Sequence, residues 1–165
     1  MAELIWRGRR ALRTLAAACL ALALTAAGEP AKAPPRGAEV TSAAHLRAMV
    51  ATTVDGLVTH AAVADPGART IVVRRDRPGQ VEVHDALNDV VVAQAGAAVL
   101  LAGGHAEGLR QTEAGEWRGG TIAGGERRAL GPGDVAWIPA GVPHQLIVAR
   151  GGSFTYVVVK TANAP

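Results

Sequence analysis

The sequence predicts an all-β domain, and three observations lead there. The apolar content is 49%, near the globular norm, yet only five residues are aromatic, so the core is expected to be aliphatic and rich in Val, Leu, Ile and Ala. Short β-prone runs recur along the second half of the chain, and each is closed by Gly or Pro, which supply positive φ or a preset φ at turns. Such punctuation at short spacing marks a sandwich or small barrel. With 165 residues the chain suits one domain better than two. Its single cysteine, Cys19, excludes an internal disulfide framework and a CxxC zinc site.

In chain order, residues 1–27 are expected to be a signal peptide. Arg7, Arg9, Arg10 and Arg13 precede an uncharged apolar stretch that ends in Thr25-Ala26-Ala27, and the stretch is shorter than the roughly 20 residues a spanning helix needs. The protein is therefore expected to be exported, to the periplasm or the exterior, with membrane contact only through an uncleaved signal. Arg9-Arg10-Ala11-Leu12-Arg13 also resembles a twin-arginine signal, so the export route stays open between the two systems.

The formal net charge of +3 belongs to this segment: without its four arginines and Glu3, thirteen basic side chains face thirteen acidic ones. A neutral remainder argues against nucleic acid as a partner, because counterion release needs clustered Lys and Arg on the folded domain.

Residues 28–40 contain Pro30, Pro34 and Pro35 and read as a linker, leaving 41–165 as the single domain. Thr41 or Ser42 can cap a helix over 42–51, in which Leu46, Met49 and Val50 recur at helical spacing. Strands are expected at 70–74, 80–84, 89–94, 97–101, 135–138, 145–149 and 154–160, with turns at Asp65-Pro66-Gly67 and in the Gly-rich stretches between. Open edges of the first and last strands make pairing with a second copy an expectation.

The run Gly133-Asp-Val-Ala-Trp-Ile-Pro139-Ala-Gly141-Val-Pro-His144-Gln-Leu-Ile-Val148 has Gly, five residues, Pro, one residue, Gly, two residues, then His. It resembles the second motif of the cupin superfamily, with Val148 where Asn is usual. Some fifty residues earlier, Glu82-Val83-His84, Asp89 and Gly96 match the spacing of the first cupin motif, with Glu82 in place of its first histidine. The resemblance covers roughly residues 55–160 and implies a small single-domain cupin with a jelly-roll barrel, which the short helix expected at 42–51 precedes.

On a strand, residues two apart share a face, so Glu82 and His84 project together. With Asp89 and His144 they make the candidate metal set: two imidazoles and two carboxylates, suited to Fe, Mn, Zn or Ni as the divalent cofactor. Two bound carboxylates would leave the metal neutral, which suits a water-poor barrel and makes metal-hydroxide hydrolysis less attractive than redox or chelation chemistry.

The function expected is binding of a divalent metal and a small organic ligand, with a metal-dependent oxygenase or isomerase as the activity and enzyme status open. A metal-free ligand-binding barrel and a non-catalytic accessory protein remain alternatives. His45, His60 and His105 are expected in loops or at the surface, Trp137 in core or wall packing, and Trp117 in a polar loop. No serine or cysteine has a base and an orienting partner in the pattern, so covalent acyl transfer has no support.

Overall fold

The computed structural model describes residues 37–64 and 68–163. The expected signal peptide (1–27), most of the linker and the Asp65-Pro66-Gly67 turn lie outside the described residues. No helix among the described residues is long and apolar enough to cross a membrane.

One helix opens the fold. In α1 (Ala43–Met49) the Ser42 hydroxyl accepts the His45 amide at 3.2 Å, which satisfies one of the amides a helix start leaves free. The helix is shorter than the expected 42–51 because Val50 already departs from helical φ and ψ. Beyond it, the Arg74 guanidinium donates to the Ala51 carbonyl and the Thr53 hydroxyl to Asp76, tying this segment to the end of the second strand.

Thirteen strands follow among the described residues: β1 (Leu57–Ala64), β2 (Ala68–Arg75), β3 (Glu82–His84), β4 (Leu87–Gly96), β5 (Ala98–Ala102), β6 (His105–Glu107), β7 (Arg110–Glu113), β8 (Glu116–Arg118), β9 (Thr121–Ala123), β10 (Glu126–Leu130), β11 (Val135–Ile138), β12 (His144–Ile147) and β13 (Phe154–Ala162). They form a five-stranded sheet in the order β1-β2-β13-β4-β11, a six-stranded sheet in the order β10-β5-β12-β3-β8-β7, and the small pair β6-β9. Every pairing is antiparallel. The all-β, jelly-roll expectation holds, with α1 as its only helix among the described residues.

The core is what the composition predicts. Val73, Val91, Leu100, Leu146, Phe154 and Val158 belong to one buried cluster drawn from both large sheets. On β13, burial alternates strictly from Phe154 through Tyr156 and Val158 to Lys160, so the strand's inward face is apolar at one end and ends on an ammonium.

Three sequence expectations need correction. Residues 105–130 form five short strands, where mainly loop was expected; they are exposed on most positions and polar, so no alternation marks them. Trp117 lies on β8, half-buried, with its indole N–H donating to Asp85, rather than in a loop. Trp137 is 58% exposed on β11, an edge strand, so it packs neither the core nor a cavity wall.

The glycine of the first motif has a steric reason. Gly96 sits at φ +73°, and a Cβ there would lie 1.9 Å from the Ser153 carbonyl oxygen. Gly96→Ala should therefore lower stability by about 1–3 kcal/mol or more through forced backbone movement. Urea denaturation measures it, and an unchanged midpoint would contradict this account.

Candidate metal centre

The candidate site is a row of cross-strand neighbours. His144 on β12 lies opposite Glu82 on β3, and Glu82 lies opposite Arg118 on β8, so three adjacent strands aim these side chains to one side; two pairs along, on the same face, His84 lies opposite Glu116. The other sheet supplies Asp89 and Lys160, opposite each other on β4 and β13. Two hydrogen bonds fix how the motifs meet. The Gly141 amide donates to the His84 carbonyl at 2.8 Å, and the Ala140 amide to the buried Asn88 side chain at 2.9 Å. The turn before His144 is thus clamped to the strand that carries His84.

All four residues expected from the sequence converge. Glu82, His84 and His144 each offer a ligand atom within 4.8 Å of the others, and this buried trio could hold a metal ion. Asp89 is beside them, its carboxylate 3.4 Å from His84 Nε2 and 3.8 Å from His144 Nε2. However, its nearest partner is the Lys160 ammonium, at 2.7 Å.

The donor chemistry fits a metal. His144 Nδ1 lies 3.0 Å from the Val142 carbonyl and His84 Nδ1 lies 2.7 Å from Glu116, both acceptors, so each Nδ1 carries the proton and each Nε2 presents a lone pair. Lys160 donates to His84 Nε2 at 2.9 Å, which requires the same neutral tautomer.

Four charged residues at the site carry no motif signal. Arg75 donates to Glu82 at 3.2 Å and to the Tyr156 hydroxyl at 2.9 Å, Arg118 donates to Glu82 at 2.6 Å, and Glu116 and Lys160 hold the two sides of His84. Of these, Lys160 could have been found, because it continues the alternation of Phe154, Tyr156 and Val158. The others could not, since nothing in sequence brings β2 or β8 to this place. They change the charge argument. Glu82, Asp89 and Glu116 are balanced by Arg75, Arg118 and Lys160, so a divalent ion would enter a cluster already neutral.

Burial and pairing set the ionisation. Burial pushes the Glu82 carboxyl up, but Arg118, His144 and Arg75 outweigh it and hold it below the usual value of 4.5. Burial likewise raises Asp89, and the attraction and hydrogen bond of the Lys160 ammonium beside it work against that, so the carboxyl is held below 3.8. Burial lowers His144 beneath 6.5, and the Val142 carbonyl and nearby carboxylates only partly restore it.

A cavity of about 430 Å³ adjoins the trio. Leu57, Ile71, Val73, Val91, Leu146 and Val158 give it apolar walls, and Arg75, Arg77, Arg118 and Lys160 outnumber Glu82 and Asp89 in its lining.

Among solved structures, TT1209 from Thermus thermophilus superposes at a TM-score of 0.57 with 17% identity, over 77% of this chain and 100% of that one. This is a small cupin fold. The DMSP lyase DddQ from Ruegeria pomeroyi DSS-3 is similar at 0.48 and 20% identity, over 65% of this chain and 47% of that one. KdgF from Halomonas sp. is similar at 0.46 and 17%, over 68% and 86%. The chain thus spans about half the length of that lyase. No family model and no curated protein matches the sequence.

The site makes the fold sensitive to acid. His144 is held below 6.5, so the unfolded chain takes up its proton first and stability starts to fall as pH drops through that value. Glu82 and Asp89 are held below 4.5 and 3.8, so their contribution is present above those values and is lost as pH falls further. Thermal melts from pH 8 to pH 3 should show a monotonic fall, steeper below pH 4.5; a plateau down to pH 4 would contradict the pairing described.

Proposed function

We propose that this cupin binds one divalent metal through Glu82, His84 and His144 and takes a small organic acid in the adjoining cavity. The observation that supports the metal is the placement of both histidines: each Nδ1 lies within hydrogen-bond distance of an oxygen acceptor, Glu116 for His84 and the Val142 carbonyl for His144, and both rings meet Glu82. Two imidazoles and one carboxylate leave coordination positions for a substrate and suit Fe(II), Mn(II), Zn(II) or Ni(II). A bound ion would supply Lewis-acid or redox chemistry, in keeping with an oxygenase or isomerase.

The rest falls to the chain. The surplus of cationic side chains in the cavity favours an anionic end on the ligand, and the valine and leucine walls favour an apolar body. Arg118, whose side chain is 34% exposed, has an Nη2 donor only loosely held, 3.6 Å from Glu116, and is placed to receive a carboxylate. Glu82 stays ionised between two guanidinium groups, so it can serve as an acceptor for metal or substrate. Asp89 acts in this reading as the counter-ion of Lys160.

The metal-free barrel is the second reading, and the contact that favours it is the Lys160 ammonium on His84 Nε2. Export through residues 1–27 belongs to the proposal on sequence grounds alone.

Metal analysis and calorimetry on untagged protein test the reading. One equivalent of Zn(II) or Ni(II) should bind, and His144→Ala should abolish it, because a lost nitrogen ligand is not replaced by water in a confined site. Hexanoate should bind and hexanamide should bind at least about tenfold more weakly, as the loss of one charge-assisted contact predicts. Wild-type protein that takes up no metal but still prefers hexanoate would transfer the assignment to the metal-free barrel.

A further inference from the structure

The geometry points to Lys160 as the residue that decides which divalent ions this site accepts: its ammonium is a resident cation that a metal must displace from His84. The inference rests on the metal reading above and adds to it a competitor built into the chain.

An imidazole nitrogen has one in-plane lone pair. On His84, Nδ1 is committed as a donor to Glu116, and Nε2 already receives Lys160 Nζ at 2.9 Å. A metal bound at Nε2 needs that same lone pair, so the ammonium and the metal cannot hold His84 together. Lys160 is not a loosely placed surface residue. It is 7% exposed, its other hydrogen-bond partner among the described residues is Asp89 at 2.7 Å, and it reaches His84 across the gap between the two sheets. Asp89 anchors the ammonium in place and keeps it paired when it leaves His84.

Displacement costs every ion the same amount, so it acts as a threshold. Ions high in the order of affinity for nitrogen and oxygen donors, such as Zn(II) and Ni(II), pass it; Mn(II), at the bottom, does not. Arg75 and Arg118, both on Glu82, add repulsion that a divalent ion must also meet. If the state with Lys160 withdrawn is a minor one, populated at about 10% or below as is usual for such states, apparent metal affinity is reduced by about tenfold or more.

The test compares metal binding by chelator competition in wild type, Lys160→Met, and the double variant Lys160→Met with Asp89→Asn, which removes both buried charges together and guards against misfolding of the single variant. The variants should bind Zn(II) at least about tenfold more tightly than wild type and should bind Mn(II) one to one where wild type does not. Adding His144→Ala to Lys160→Met should abolish the gain.

Wild-type protein gives an independent measurement. The chain has two lysines, Lys32 and Lys160, so ¹⁵N-lysine spectra resolve the Lys160 Nζ, whose resonance should shift when Zn(II) is added. Equal affinity in wild type and variants, or a Lys160 resonance that stays in place while Zn(II) binds, overturns the inference and leaves the metal site standing. Absence of metal binding in all three proteins overturns both.

Discussion

The Lys160 ammonium, held between Asp89 of its own sheet and His84 of the facing one, is the contact on which the polar part of this barrel depends. A buried charge without a partner costs several kcal/mol, so a jelly roll that carries carboxylates inward must also carry cations to them. Here the supply comes from both layers. Arg75 reaches across to Glu82 as Lys160 reaches across to His84, and the two sheets are joined at this level by ion pairs and hydrogen bonds, while Phe154, Leu146 and Val91 join them elsewhere by apolar packing. The interior is therefore divided into two kinds of cohesion, one directional and one not.

That division explains why the site is so closely tied to backbone geometry. Apolar packing tolerates a shift of several tenths of an ångström, but a charge pair does not keep its strength as angles and distances drift. The backbone bond from Gly141 to His84 and the Asn88 clamp on Ala140 hold the two motif segments in fixed relation, so the imidazoles sit with ring centres 5.3 Å apart before any ligand arrives. Preorganisation of this kind lowers the cost of binding, because the ordering is met during folding.

How much of this was legible in the sequence follows from how each residue is held. The long strands β2, β4 and β13 are marked by β-branched runs, and His144 by a spacing in which Pro139 and Gly141 each have a turn to make. Glu82, His84 and Asp89 could be placed through strand parity and motif spacing. The short strands between His105 and Leu130 were hidden because hairpins in solvent need no apolar face, and β1 was hidden by its alanines and His60. Arg75 and Arg118 were out of reach for a different reason: their role depends on which strand lies beside β3 and which faces it from the other sheet, and that is a property of topology that local pattern does not encode. Trp137 shows the converse, an apolar residue whose alternation with Val135 looks like a core strand and faces water at the sheet edge.

Strand β4 is irregular between its two motif residues. Seven positions separate Asp89 from Gly96, an odd number, which on a regular strand would put them on opposite faces. Their partners on β13, Lys160 and Phe154, are six apart and share a face. The discrepancy is taken up by a bulge between the pairs Thr155–Ala95 and Tyr156–Ala93, which skips Gln94. The extra residue restores phase, so that a glycine needed at the crowded crossing with Ser153 and a carboxylate needed in the cavity can lie along one strand and on one side. The interval between them therefore behaves as a parity device: an insertion or deletion of one residue within it would not shorten the strand so much as exchange its inside for its outside.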